Sequence, residues 1–278
     1  MDNLFTNVLR QAKETNTACA AINILNYTTT RSIVAAAEKA GRNVILQPST
    51  STVKVYGAEP IRDMVNILRK NSKMTVTLHL DHCKDAGIAR ECVDLGWDSV
   101  MMDYSALPFD ENVRLTKEMV DYAHERGVAV EGEIGIISGV EDEISVERGN
   151  YANVEDVERF VQLTQVDAVA PAIGTAHGVY KSVPRINFDL VEQLSSLDSY
   201  IVVHGGTGLS EGTFIRLVCC GAVKINISTA LKQVYLSSSK HFLEEKIAPV
   251  DFDIKVFDAC EKEMEKYIRL FAKENVVL

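Results

Sequence analysis

The sequence predicts a (β/α)8 barrel of the TIM type spanning residues 1–278 as one domain, on three observations. Eight short apolar runs recur along the chain, at 18–22, 43–46, 75–80, 99–102, 128–131, 168–172, 200–203 and 223–227. Longer stretches with helical periodicity separate them, as at 28–40, 84–95 and 111–126. The runs are nearly continuous in apolar character, which suits parallel strands buried on both faces rather than half-exposed antiparallel ones. A doubly wound open sheet is the other architecture for such alternation. It would normally carry a glycine-rich dinucleotide fingerprint after its first strand, and this chain reads Asn23-Ile24-Leu25-Asn26 there.

The elements follow in order. Residues 1–16 read as an amphipathic helix with Leu4, Val8 and Leu9 on one side, and with no basic segment leading into an apolar one, so no secretion signal is expected. The β/α units come next without a Pro/Gly/Ser-rich linker, a low-complexity tract or an internal repeat beyond the alternation itself. One interruption is long. Residues 135–153 carry glycines at 135, 139 and 149 and the acidic stretch Glu141-Asp142-Glu143, and a loop of that length in a compact domain reads as a mobile lid.

Composition narrows the function. The 29 basic and 39 acidic residues leave a formal charge of −10, which disfavours nucleic acid or an anionic membrane as partner, so any phosphate affinity must be local. No apolar stretch approaches the roughly 20 residues of a membrane-crossing helix. The six cysteines, at 19, 83, 92, 219, 220 and 260, show no CxxC pair, which fits reduced thiols in a soluble, cytoplasmic protein.

The segment His204-Gly205-Gly206-Thr207-Gly208 follows the apolar run Ile201-Val202-Val203. Imidazole at the end of a rigid strand is a good ligand for a borderline metal, and glycines let successive backbone N–H groups turn toward one phosphate. Alone the motif is weak, because a glycine-rich strand-to-helix turn is common. Barrel chemistry, however, gathers just past the C-terminal strand ends. Reading only those positions collects Asn23, Ser49, Asp81-His82, Asp103, Glu133, Gly174 to His177, His204 with its glycines, and Asn226 with Thr229. Three of the six histidines fall on that one rim, which points to a metal site.

These motifs resemble the class II, metal-dependent ketose-bisphosphate aldolases, the group that includes fructose- and tagatose-bisphosphate aldolases. The similarity runs through LHLDH at 78–82, SVMMD at 99–103, LPFDENV at 107–113, EGEIG at 131–135, AIGTAHGVYK at 172–181, HGGTG at 204–208 and KINISTAL at 224–231. It implies a lyase in which His82, His177 and His204 hold a catalytic Zn2+ or similar ion that stabilises an enediolate. It implies that Asp81 moves the proton of the hydroxyl on the aldehyde-forming carbon, and that Glu141, on the long loop, exchanges a proton with the ketone fragment. Glu133 is implied as an alternative metal ligand and Asp103 as a group near a second cation site, although either could orient His82 or His177 instead. Gly178, Lys181, Gly205, Gly206, Thr207, Asn226, Ser228 and Thr229 are implied around the phosphate, with a monovalent cation, Na+ or K+, nearby. Asn23 and Ser49 match polar positions beside the substrate, and Arg269 is a candidate for the far phosphate across a subunit interface. The partner implied is a phosphorylated ketose, and the assembly a homodimer or homotetramer.

The chain departs from the fructose-type pattern at Asn226-Ile227-Ser228-Thr229-Ala230, where two acids are absent. This leans the expected substrate toward tagatose 1,6-bisphosphate or another ketose phosphate, cleaved to dihydroxyacetone phosphate and an aldehyde. Losing one aimed acceptor is worth on the order of 1–3 kcal/mol between epimers. Cys83 stands where glycine is usual and reads as a buried inert thiol. Tyr104, in place of a small residue, either narrows the mouth or packs outside the barrel. The alternative function is a non-catalytic, aldolase-like subunit that stabilises or regulates a partner. A zinc hydrolase would favour an HxH pair on the first strand, and none is there.

Overall fold

The computed structural model describes residues 2–141, 144–146, 150–178 and 184–274. Eight parallel strands close into a barrel: β1 (Cys19–Asn23), β2 (Val44–Gln47), β3 (Val76–Cys83), β4 (Ser99–Met102), β5 (Ala129–Ile134), β8 (Ala168–Pro171), β10 (Tyr200–Val203) and β11 (Ala222–Ile227). These are the eight predicted runs, with ends that differ by a few residues. Closure is made by β11 pairing with β1, Lys224 opposite Cys19 and Asn226 opposite Ala21. The three remaining strands, β6 (Ser138–Glu141), β7 (Ile144–Val146) and β9 (Ala176–His177), form a small sheet in the order β7-β6-β9.

Helices α1 (Leu4–Glu14), α2 (Tyr27–Ala40), α3 (Thr50–Tyr56), α4 (Ala58–Asn71), α5 (Ala86–Asp94), α6 (Phe109–His124), α7 (Val154–Thr164), α8 (Phe188–Leu194), α9 (Glu211–Cys219), α10 (Thr229–Glu244) and α11 (Pro249–Phe271) complete the chain. Their starts are well capped. Asn26 opens α2 with a capping box that satisfies two otherwise orphaned backbone groups, and Gly41 ends it in the left-handed conformation. The main core lies between strands and helices, where Trp97, Phe160, Phe214 and Phe271 are buried.

A second, smaller core closes the floor of the barrel. There α1 lays Phe5, Val8, Leu9 and Ala12 against the interior residues Cys19, Ala21, Ile45 and Ala129. The predicted face of this helix is corrected at one position: Leu4 is 42% exposed, while Phe5 is fully buried and stacks on the His79 ring at 5.2 Å. Leu4, a step away around the helix, points clear of the floor.

The interruption at 135–153 is more ordered than a lid without secondary structure. It contains the antiparallel pair β6–β7, with Glu141 opposite Ile144, and β6 runs parallel to β9 with Gly139 opposite His177. Gly139 sits at φ 111, and a Cβ there would come within 2.2 Å of the His177 carbonyl oxygen, so only glycine allows the hairpin this close.

Candidate active site

Three imidazoles converge at the mouth. The ring nitrogens of His82 at the end of β3, His177 on β9 and His204 just past β10 lie within 4.8 Å of one another, all buried. Adjacent residues on a strand normally face opposite sides, yet Asp81 and His82 both serve the mouth. The backbone explains it. The β3–β4 register shifts between Leu80 and Cys83, and His82 sits at φ 46 in the left-handed region, which turns its ring back over the barrel. Holding a non-glycine residue there costs about 1–2 kcal/mol. His82→Asn, a residue that tolerates this region, should therefore give metal-free protein about 1–2 kcal/mol more stable to denaturant than His82→Val does. Equal stabilities would contradict the strained turn.

The protons can be placed. Burial opposes a charge on His82, but Asp81, Asp103 and Glu133 raise its pKa well above the ordinary value. Burial takes His204 down to about 3. His82 Nε2 and His204 Nδ1 are 2.8 Å apart, and His204 Nε2 is 2.8 Å from Glu131 Oε1. Charged His82 thus donates to neutral His204, which donates onward to Glu131.

The carboxylates divide by environment. Burial opposes the charge of Asp103, but the hydrogen bond with His82 Nδ1 at 3.2 Å and the charges of His82 and Lys84 hold it well below the usual range. Glu133 is pushed well above that range by burial and by the charge of Asp103. Its Oε2 lies 3.6 Å from His204 Nδ1 and 3.8 Å from His82 Nδ1 and has no hydrogen-bond partner. A buried carboxylate oxygen left over beside three imidazoles suits a cation, and the donor set suits zinc or a similar borderline ion. Asp103 touches His82 as an orienting partner, and His82, Asp103 and Glu133 also form a second group compact enough for an ion.

Asp81 is held on both oxygens. Asn23 Nδ2 donates to Oδ2 at 2.8 Å, and Asn226 Nδ2 donates to Oδ1 at 3.3 Å. Ser49 lies alongside, bridged through its backbone to Asp81, and its hydroxyl caps α3. Across the mouth, Gly178, Gly205, Gly206, Thr207, Asn226, Ser228 and Thr229 line one small cavity at the start of α10. A Cβ on Gly205 would come within 2.5 Å of the Ala176 carbonyl oxygen, so glycine lets two rim loops touch. The Thr207 hydroxyl accepts from the Ala230 N–H at 3.3 Å, and the buried Ser228 hydroxyl has no partner. Donors at a helix start facing an open cavity suit phosphate. Lys181 lies outside the described residues, as do Asp142 and Glu143. Glu141 is placed by its backbone at the end of β6.

Two expectations resolve. Tyr104 is 8% exposed within the strand–helix core, near Arg90 of α5 and Glu118 of α6, so it packs outside the barrel and leaves the mouth alone. Cys83 is buried, and burial raises its thiol, as an inert cysteine requires. Within its own chain Arg269 lies away from the mouth. It sits near the end of α11, at the floor of the barrel, where it donates to Glu265, Glu274 and the Lys39 carbonyl.

Sequence reading missed the polar layer beneath the rim. Glu131, Lys224 and His79 are all fully buried in the barrel interior. The signal was spacing. Glu131 stands two residues before Glu133, and Lys224 two before Asn226, so each shares an inward face with a residue already singled out.

A parallel β/α barrel with a metal-competent imidazole cluster beside a fixed carboxylate, and a small glycine- and hydroxyl-lined cavity at a helix start, defines a class of barrel enzymes with their site at the C-terminal rim. The family model for class-II fructose-bisphosphate aldolase matches residues 3–276, and the chain belongs to that family. It is 33% identical over 276 residues to the sulfofructosephosphate aldolase of Alkalicoccus urumqiensis, covering 96% of both chains. It is 36% identical over 240 residues to the fructose-bisphosphate aldolase of Geobacillus stearothermophilus, covering 85% of this chain and 84% of the relative. Among solved structures, the YdjI aldolase from Escherichia coli K12 superposes with a TM-score of 0.87 at 29% identity, covering 98% of this chain and 97% of that one.

Proposed function

We propose that the protein is a metal-dependent aldolase that cleaves a ketose 1-phosphate or 1,6-bisphosphate to dihydroxyacetone phosphate and an aldehyde, with tagatose-type substrates favoured over fructose-type ones. One observation carries the reading: Asp81, fixed by Asn23 and Asn226, shares its mouth with three converging imidazoles and with the cavity at the start of α10. Zinc held by His82, His177 and His204, with Glu133 as an alternative ligand, would supply electrophilic stabilisation of the charge left on the three-carbon fragment. Asp81 takes the hydroxyl proton of the aldehyde-forming carbon as the carbon–carbon bond breaks. The bonding electrons pass to the three-carbon fragment, and Glu141 returns a proton to its carbon. The glycines and Thr207, Ser228 and Thr229 hold the phosphate, with Lys181 assisting. Ser228 supports the tagatose lean, because it presents a neutral hydroxyl where fructose-type members carry an acid.

The free cysteines support a reducing, cytoplasmic setting, and no helix of the described residues is long and apolar enough to cross a membrane. Exposed Leu236 and Leu243 on α10 with Val250 and Ile254 on α11 support a homodimer or homotetramer. We read residues 1–278 as one domain, with 135–153 as its active-site loop.

The test is cleavage of fructose 1,6-bisphosphate, tagatose 1,6-bisphosphate and a panel of ketose 1-phosphates by zinc-loaded and EDTA-treated protein. Metal-dependent release of dihydroxyacetone phosphate is expected, fastest with a substrate other than the fructose bisphosphate. No metal-dependent cleavage of any of them overturns the reading. Glu141→Ala should lower turnover by about 10²-fold or more with zinc retained, and loss of zinc would show that its role is misassigned.

A further inference from the structure

Lys224 is fully buried, and its ammonium meets two partners. Nζ lies 2.9 Å from Glu131 Oε2 and 2.8 Å from Asn226 Oδ1. Each partner reaches a different part of the site. Glu131 accepts from His204 Nε2 at 2.8 Å, and Asn226 donates to Asp81 Oδ1 at 3.3 Å. The ammonium also settles which way the Asn226 amide points. With its carbonyl on Lys224, its NH2 must face Asp81; the reverse flip would set NH2 against an ammonium and C=O against a carboxylate.

We propose that Lys224 is a positioning residue that couples the metal-binding and proton-transfer halves of the site, setting His204 through Glu131 and Asp81 through Asn226. A lone structural counterion for Glu131 would need only the first contact. A buried Lys–Glu pair is also a costly way to stabilise a barrel, since well-packed apolar residues do as well or better. Its position between two strands that each carry a site residue gives the cost a use. The floor supports the arrangement: neutral His79, held by Ser99 at 2.7 Å and stacked on Phe5, fills the space below Glu131 without adding a second cation.

This inference rests on the aldolase reading, and the test separates the two. Zinc affinity, measured by chelator competition, and turnover per bound zinc are compared in wild type, Lys224→Met, Glu131→Gln and the double variant Lys224→Met/Glu131→Gln, which leaves no uncompensated buried charge. Lys224→Met should lower zinc affinity about 10–100-fold, as loss of a supporting partner does. It should also lower turnover per bound zinc about tenfold or more, because a displaced base loses its alignment. Adding Lys224→Met to Glu131→Gln should lower turnover per bound zinc again with little further change in affinity. Asn226→Leu, which alters no charge, should lower turnover at the wild-type zinc affinity. If the double variant turns over per zinc as Glu131→Gln does, Lys224 is only a counterion and the coupling is wrong. A wild-type protein that neither binds zinc nor cleaves a ketose phosphate overturns the aldolase reading and this inference with it.

Discussion

Asp81→Asn should reduce ketose phosphate cleavage by about 10²–10⁴-fold, equivalent to about 3–5 kcal/mol of barrier, with zinc still bound. Asparagine has nearly the shape of aspartate and can still accept from Asn23 or from Asn226, one of the two, through its single carbonyl oxygen. Its NH2, however, would face one of two amide donors that now meet an acceptor, and it has no basic lone pair for the substrate proton. The loss should therefore fall on kcat, with KM changing far less, because phosphate and metal contacts are untouched. Turnover within a few-fold of wild type would remove Asp81 from proton transfer.

The second large effect belongs to His204→Ala. The ring is 1% exposed and connects His82 to Glu131, so its removal takes away one of the three proposed ligands and also the donor that meets the Glu131 carboxylate. Zinc affinity should fall by more than the 10–100-fold that loss of a supporting partner costs, and cleavage should drop to background. A readout independent of activity exists. Wild-type protein at a free zinc concentration about 1,000 times its Kd should gain about 4 kcal/mol against unfolding, and at the same free zinc His204→Ala, with affinity down more than about 100-fold, should gain less than about 1.4 kcal/mol. An undiminished gain would mean that the ion sits elsewhere, with His82, Asp103 and Glu133 as the next group to test.

The barrel was legible because burial on both faces writes each strand as an apolar run whatever its neighbours do. Its exceptions were the informative parts. The third run reads as ending at 80 because Asp81 and His82 look like loop, whereas β3 continues to Cys83 through a bulge and a left-handed residue. That irregularity is a tertiary compromise with no local pattern. The β6–β7 hairpin was hidden for a related reason: a segment rich in acid and glycine gains its order from backbone pairing with the strand that holds His177. At the site, residues just past strand ends were found by position alone, since the rim of a barrel is where side chains are free to act. Glu131 and Lys224 escaped because they lie within strands, where a charge in an apolar run gives no hint of its partner on another strand.

The placement of the three imidazoles has a consequence for how the molecule assembles. His82, His177 and His204 come from β3, β9 and β10, and Asp81 is steadied from β1 and β11, the two strands whose pairing closes the ring. No fragment of consecutive β/α units holds the whole set. A folding intermediate with an open seam between β1 and β11 could keep Asn23 near Asp81 through β2 but would leave the base without Asn226, which reaches it from across the seam. Metal capture and catalytic competence are therefore separable in time. Zinc bound at the proposed site would report that the middle of the chain has come together, while turnover would report that the first and last strands have met, a contact of high sequence separation whose loop-closure cost must be met before it forms.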